Sequence, residues 1–463
     1  MRAPPDFSAL NDVSDLTIDY SRDTLARVQT DKSGHQSDSP PLAVVYPSTI
    51  EAVQSVMRWA TKHSVPIVTR GGGSGLAGGA IGSAGEVVLS LERLNRILEI
   101  STSDRLARVE AGVINADLNG AALQHGLWFG PDPASRAWST VGGNIATNAG
   151  GLLCAKYGVT REAVIGLTVV LADGRVITPG HRSVKGVSGF DLAQLFIGSE
   201  GLLGIIVEAT VKLLPIPRSE TWTLAARFSD ITHATDACED ITSAGHTPAM
   251  LELLDSVALG PIHHYAGRAG PEPTEVLVIA QSDGTDAAGD VAAYAAVCEG
   301  HGARVELHGP GPEAESLLDL RRSMHPAMEQ FGNVLIEDVA VPRSQLGAMF
   351  QEVRRIEAER NVVIPTVAHA ADGNLHPNFI VPGDTVPENI WQAAGELFRS
   401  ALALGGTLTG EHGVGLLKKR WLSEELGDDQ IELQRGIKSV FDPLNILNPT
   451  KVFDAPSGKL DIS

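Results

Sequence analysis

The sequence predicts an α+β protein built from two main domains, and three features carry that prediction. The chain is 463 residues long, room for two or three domains at about 150 residues each. Hydrophobic residues make up 43% and charged residues 20%, a balance able to fill large cores. The hydrophobic pattern also changes at Pro215-x-Pro217. Before it, short apolar strands are joined by glycine-rich loops; after it, strands alternate with longer helices. The expected organisation is a lead-in over residues 1–40, a first domain over 41–217 and a second over 218–455, with no fixed-period repeat.

The elements follow in order. Residues 1–40 lack strong periodicity and read as a loosely structured lead-in. Leu42–Tyr46 is a short apolar strand, and Ser48-x-x-Glu51 has the capping-box pattern of a helix start. Ile50, Val53, Met57 and Ala60 then recur at helical spacing. Val65–Thr69 is a second strand that runs straight into glycine. Further strands are expected at Glu86–Leu91, Ala107–Ala111, Val164–Leu171 and Ile205–Leu214, with a helix near Ala116–His125. In the second domain, strands are expected at Trp222–Phe228 and Glu275–Gln281, and helices near Thr232–Ala244 and Asp286–Glu299. A further helix from about Pro387 to Leu404 is stopped by Gly405-Gly406. Pro443 to Phe453 is loop-like and reads as a tail handed back by the second domain.

Charge and cysteine content exclude several function classes. Lys and Arg number 36 against 56 Asp and Glu, a formal charge of −20. Neither a general nucleic-acid binder nor a polybasic membrane-surface protein fits that balance. Cys154, Cys238 and Cys298 lie far apart with no C-x-x-C pair, which argues against a disulfide scaffold, an iron–sulfur cluster or a zinc ribbon. No signal or transit peptide is visible, and the longest apolar run, Leu192 to Val211, is broken by Glu200 and Glu208. These features set the expectation of a soluble, cytoplasmic protein.

Glycine is the outlier. There are 49, and eight fall between Gly71 and Gly85. Gly73, Gly75 and Gly78 form a literal G-x-G-x-x-G, but a dinucleotide-binding βαβ unit needs a helix next, and here a strand follows. No Gly-Lys-Ser/Thr occurs there, so a P-loop is excluded. What remains is either a flexible corner or a helix-free nest, whose successive N–H groups point at an anion such as a pyrophosphate.

A second signal lies in His369-Ala-Ala-Asp-Gly-Asn-Leu-His376. Asp372-Gly373 is a preferred dipeptide for a two-residue hairpin turn, which sets His369 directly opposite His376, with Asn378 on the same face. Two imidazoles held in this way either share a metal or are a coincidental surface pair. Glu411-His412 follows in a loop flanked on both sides by glycine, and His, His and Glu with an open position suits a catalytic divalent metal. A metal hydrolase using His369, His376 and Glu411 is one reading of that set, but it leaves the glycine-rich half unexplained.

The ordered segments Arg70–Gly79, Pro131-Asp132-Pro133, Thr140–Gly151 and Gly198–Ile206 resemble the FAD-binding domain of the vanillyl-alcohol oxidase (PCMH-type) superfamily. The order His369…His376, then Gly410-Glu-His-Gly, then Asp442-Pro-x-x-Ile446-Leu-Asn-Pro449 resembles the C-terminal FAD-linked oxidase domain of D-lactate, D-2-hydroxyglutarate and glycolate dehydrogenases. Together the resemblance spans nearly the whole chain beyond residue 40. It implies a PCMH-type FAD-binding domain followed by an antiparallel sheet with helices. By that resemblance FAD is contacted by Arg70, Gly71, Gly72, Gly73, Ser74, Gly75, Leu76, Pro131, Asp132, Val141, Gly142, Gly143, Ala146, Asn148, Glu200, Gly204, Ile206, Glu411 and Asn448. The glycine loop holds no His that could tether the flavin, so FAD is expected to be non-covalent.

The resemblance further implies His369, His376 and Glu411 as ligands of a divalent metal, zinc first, with manganese or iron as alternatives. His412 becomes the catalytic base, Asn378 a neighbour of the substrate, and Arg321 the clamp on the substrate carboxylate, an exposed helical Arg being the competing reading there. Relatives often carry His-x-Gly-Asp-Gly-Asn, and here Ala371 replaces the first of those glycines. Members that use dicarboxylates place a Lys fifteen residues beyond that Arg; here Ile336 stands there, which favours a substrate with an uncharged tail. The implied activity is oxidation of a small 2-hydroxy acid, of D-lactate or glycolate type, to the 2-oxo acid. Electrons then pass to O₂, a quinone, a cytochrome or an electron-transfer flavoprotein, the last three allowing peripheral membrane association. A homodimer, or an FAD subunit of a larger glycolate oxidase complex, fits the same resemblance, and a D-2-hydroxyglutarate dehydrogenase is the other alternative it leaves open.

Overall fold

A computed structural model describes residues 5–383 and 385–454. The chain divides into two compact units, and the split is not a simple cut. The first takes the chain up to Ala149, Val159–Ile216 and everything from Glu411 onward. The second takes Gly150–Gly158 and Pro217–Gly410.

The first unit contains two main sheets. Strands β1 (Leu16–Asp19), β2 (Ala43–Pro47), β3 (Ile67–Arg70) and β4 (Val87–Ser90) form a sheet in the order β1-β2-β4-β3. Strands β2, β4 and β3 are mutually parallel, and β1 adds antiparallel to β2. The 1–40 segment is therefore not a loose lead-in: it supplies an edge strand, and Leu10 and Val28 are buried. Its short elements escaped periodicity analysis because none is long enough to repeat a face. The helix Ile50–His63 buries Val53, Val56, Met57 and Ala60 against this sheet. Its cap is Thr49, whose hydroxyl accepts from the Ala52 N–H at 3.2 Å, one residue later than the Ser48 capping box predicts.

The second sheet joins β5 (Ile97–Ser101), β6 (Leu106–Glu110), β8 (Val164–Val170), β9 (Val176–Ile177) and β10 (Ile205–Lys212), all antiparallel, in the order β5-β6-β10-β8-β9. A small ribbon pairs β7 (Leu127–Trp128) with β11 (Leu214–Pro215). The returning C-terminal segment adds to this unit, with Leu447 bridging Ile67.

The second unit is one antiparallel sheet with helices, as the resemblance implies. Its strands are β12 (Trp222–Phe228), β13 (Met250–Leu254), β14 (Val276–Ser282), β15 (Arg304–His308), β16 (Asn333–Ile336), β17 (Val339–Ala340), β18 (Thr366–His369) and β19 (Asn374–Val381). Their order is β15-β12-β14-β13-β18-β19-β16, with β17 also on β19. One face packs Met250, Leu254, Ile279 and Val367 against the helices Ser256–Tyr265, Pro312–Arg322 and Met324–Glu329. No described helix is long and apolar enough to cross a membrane.

Candidate active site

In the first unit, the glycine loop is an array of unused donors. From Gly71 to Gly79 no N–H makes a hydrogen bond among the described residues. Gly73 and Gly78 take left-handed backbone, with φ of +73° and +79°, a conformation glycine adopts without steric cost. The loop is held by Arg70, whose Nη1 donates to the carbonyls of Thr30 and Ala80 at 2.9 Å each. A Cβ at Gly71 would strike the Thr140 hydroxyl, and one at Gly72 the Trp138 carbonyl. The two segments thus approach as closely as backbone allows, beside a cavity of about 510 Å³ lined by Arg70, Gly71, Gly72, Gly112, Val113 and Thr140.

Thr69 Oγ1, Ser139 Oγ and Asn448 Oδ1 are among the buried polar atoms of this unit that lack a partner among the described residues. Buried polar groups are normally satisfied, so the unpaired atoms and the N–H array fit a polar, anionic cofactor such as FAD.

Other residues implied for FAD contact have structural duties of their own. The N–H groups of Val141 and Gly142 donate to Val113 and Ala111, and that of Gly143 to the Thr140 hydroxyl. The helix Val141–Thr147 therefore offers close approach rather than free donors at its first turn. Asn148 ends that helix in left-handed backbone and accepts from the Arg161 N–H at 2.9 Å. The Pro131 carbonyl accepts from Asn115, and Asp132 pairs with Arg136. Gly204 has no room for a Cβ because Val169 and Phe196 close on it, and Ile206 lies in the core. Ser74, Gly75 and Leu76 continue the glycine loop.

Glu411 and His412 also belong to the first unit, with carboxylate and imidazole 3.8 Å apart. The loop behind them is fixed by Glu200, whose carboxylate accepts from the Val414 and Gly415 N–H groups at 2.8 Å each. Burial raises the Glu200 carboxyl above its ordinary range, against the pull of those two N–H groups.

In the second unit, the histidine hairpin differs from the sequence expectation in register but not in face. His369 pairs with Asn374, and His376 with Val367, a slip of two residues. Only Gly373 of the Asp-Gly pair has positive φ, whereas a type I′ turn requires it at both. The chain instead makes a longer turn, closed by the Asp372 and Gly373 N–H groups on the His369 carbonyl and by the Val341 N–H on the Gly373 carbonyl. Side chains alternate with period two, so a two-residue slip leaves both histidines on one face. Their rings stand edge to face with centroids 5.0 Å apart. Asn378 shares that face, buried, with its Nδ2 donating to the His376 carbonyl at 2.7 Å.

Each imidazole has a buried carboxylate behind it. Glu252, opposite His369 across the β13–β18 ladder, contacts His369 Nδ1 at 2.6 Å. Its other oxygen accepts from Arg321 Nε, also at 2.6 Å. Burial alone would raise the Glu252 carboxyl, but His369 and Arg321 together hold it below the ordinary carboxylate range. Asp338 lies 3.8 Å from His376 Nδ1 and accepts from Asn374 Nδ2 and the Thr409 hydroxyl at 2.7 Å each. Arg321 is buried, not an exposed helical residue, and its Nη atoms make no hydrogen bond with the described residues. Ile336 faces Asn378 across the β16–β19 ladder, on the same side of the sheet.

Sequence reasoning missed Glu252 and Asp338. The first is a lone acid inside the apolar strand Met-Leu-Glu-Leu-Leu, and the second closes Ile-Glu-Asp before another apolar pair. A carboxylate in a strand buried on both faces needs a partner, and that was the available signal.

A glycine-rich array of unpaired N–H groups followed by an antiparallel sheet bearing paired histidines fits an FAD-linked oxidoreductase. Residues 217–452 match the family described as FAD linked oxidases, C-terminal domain, and residues 41–180 match an FAD binding domain. The chain belongs to the FAD-linked oxidase family. It is 40% identical to the glycolate oxidase subunit GlcD of Bacillus subtilis (strain 168), covering 90% of each chain. It is 35% identical to the D-2-hydroxyglutarate dehydrogenase of Xanthomonas citri pv. viticola, covering 90% of this chain and 91% of that protein. The fold also matches p-cresol methylhydroxylase with substrate bound, at a TM-score of 0.73 and 18% identity over 94% of each chain.

Proposed function

We propose that this protein oxidises a small 2-hydroxy acid, of D-lactate or glycolate type, to the corresponding 2-oxo acid. The observation that carries the reading is the pair of carboxylate-backed histidines on one buried sheet face. Ligating histidines characteristically present their second nitrogen to a carboxylate; His369 does so to Glu252 at 2.6 Å, and Asp338 stands 3.8 Å from His376 Nδ1. Glu411 completes the proposed ligand set. His369, His376 and Glu411 would hold a divalent metal, zinc first and manganese or iron as alternatives, to supply Lewis acidity toward the substrate hydroxyl.

FAD, bound non-covalently along the Gly71–Gly79 array, would supply the two-electron acceptor for the Cα hydride. His412 takes the hydroxyl proton. The free Nη atoms of Arg321 pair the substrate carboxylate, with Glu252 fixing the guanidinium from behind. Asn378 orients the substrate, and Asn448 Oδ1 faces the flavin. Ile336, on the face of Asn378, stands where dicarboxylate-using relatives place a Lys, which disfavours a 2-hydroxyglutarate substrate.

A second reading, an FAD subunit whose competence needs a larger complex, is favoured by the name of the Bacillus relative. The test is anaerobic flavin bleaching by a panel of D- and L-2-hydroxy acids, followed by turnover of the isolated chain with an artificial dye. Bleaching by D-lactate or glycolate is expected. If dithionite bleaches the flavin and no hydroxy acid does, the reading is wrong; bleaching without dye turnover selects the subunit reading.

A further inference from the structure

Glu200 joins three segments of the first unit. Its N–H donates to the Ala146 carbonyl at 2.8 Å, tying it to the end of the helix Val141–Thr147. Its carbonyl accepts from Asn448 Nδ2 at 2.7 Å, which leaves Asn448 Oδ1 as the unpaired atom. Its buried carboxylate accepts one N–H on each oxygen, from Val414 and Gly415, just beyond Glu411-His412.

The backbone is shaped for this arrangement on both sides. Glu200 itself has a φ of +49°, a conformation that costs a non-glycine residue roughly 1–2 kcal/mol and persists only where the surroundings hold it. Gly198 and Gly201 flank it at +77° and +76°. On the facing loop, Gly413 and Gly415 take φ of +84° and +50°, which aims the two intervening N–H groups at one anion. A Cβ on Gly413 would lie 3.0 Å from the Glu200 carboxylate carbon, and one on Gly79 would lie 3.3 Å from its Oε2. The carboxylate thus fills the space between the glycine loop and the His412 loop, with no room for a larger acceptor.

We propose that Glu200 is a positioning residue: an anion seated in the Val414–Gly415 nest that holds the Glu411-His412 loop and Asn448 in one fixed arrangement. It acts through other residues rather than on the substrate. The consequence for turnover rests on the function proposed above; the clamp itself does not. Gln keeps one acceptor oxygen but turns an NH₂ toward an N–H, so Glu200→Gln breaks one of the two bonds. Glu200→Ala breaks both.

The test uses the full-length, FAD-loaded protein and both variants. Flavin content, hydrogen–deuterium exchange over residues 410–418, and steady-state turnover are measured together. Expected are wild-type flavin content, exchange at Val414 and Gly415 at least about tenfold faster, and kcat lowered up to about 100-fold, the scale of a misplaced catalytic group. KM should move less than about threefold, and Glu200→Gln should fall between wild type and Glu200→Ala. Unchanged exchange at Val414 and Gly415 overturns the proposal. Flavin loss with the loop still protected also overturns it and assigns Glu200 to cofactor binding. If the wild type turns over no hydroxy acid, the proposed function fails while the exchange data still decide the clamp.

Discussion

Glu252→Gln is the perturbation that best separates the histidine face from the flavin cradle. Glu252 makes two short charge-assisted contacts, to His369 Nδ1 and Arg321 Nε, each 2.6 Å, and is wholly buried. Such hydrogen bonds contribute about 1.5–3 kcal/mol each. Gln retains one acceptor oxygen, so one contact survives and the other becomes an NH₂ facing a donor. The loss is therefore at least one such contact plus an unpaired buried Arg321 or a reoriented His369, about 3 kcal/mol in all. Removing the group that orients a ligating histidine typically weakens metal affinity by about 10–100-fold. The assay is competition for zinc against a calibrated chelator, run beside flavin absorbance and calorimetry. Metal affinity should fall by that factor and the melting temperature should drop. Flavin content should hold, because Glu252 lies in the second unit and the N–H array in the first. Metal affinity within about twofold of wild type would refute the reasoning, since Glu252 would then not orient a ligand.

Two further outcomes follow from single residues. Ile336→Lys adds a cation on the face of Asn378; at about 1.5–3 kcal/mol for a charge-assisted contact, the kcat/KM ratio of 2-hydroxyglutarate to lactate should rise at least about tenfold, and an unchanged ratio removes Ile336 from the substrate tail. Asp255 caps the helix Ser256–Tyr265, accepting from the Ala258 and Thr366 N–H groups, and burial pushes its carboxyl from 3.8 up to about 6. An acid with a raised folded pKa binds more protons folded than unfolded, so its contribution favours folding below about pH 4 and is lost as pH rises through 6, about 3 kcal/mol in total. Denaturant titrations from pH 4 to 7 should show Asp255→Asn gaining on wild type by that amount; parallel curves would refute it.

What was legible in the sequence and what was not divides along chain distance. The glycine loop announced itself because its chemistry needs only neighbours: Gly71 to Gly79 expose their own N–H groups, and no remote strand supplies them. The histidine pair was legible for a subtler reason. The predicted turn was wrong, yet an even slip in register preserves which face a strand residue occupies, so His369, His376 and Asn378 stayed together. Glu252 and Asp338 had no such protection. Glu252 meets His369 from 117 residues away, across a pairing that places β13 beside β18 with β14 on its other edge, and no local pattern specifies that order. The lead-in failed likewise, since β1 is a strand only because β2 is there to pair with it. Glu200 is the intermediate case: the motif around it was visible, but its contact with Val414 and Gly415 crosses more than two hundred residues. The candidate site groups are thus written in local motifs, while the carboxylates that hold them come from the fold. A lone acid inside an apolar strand, as in Met250–Leu254, is the one local trace such a carboxylate leaves, because burying it demands a cationic or hydrogen-bonding partner that the strand itself does not contain.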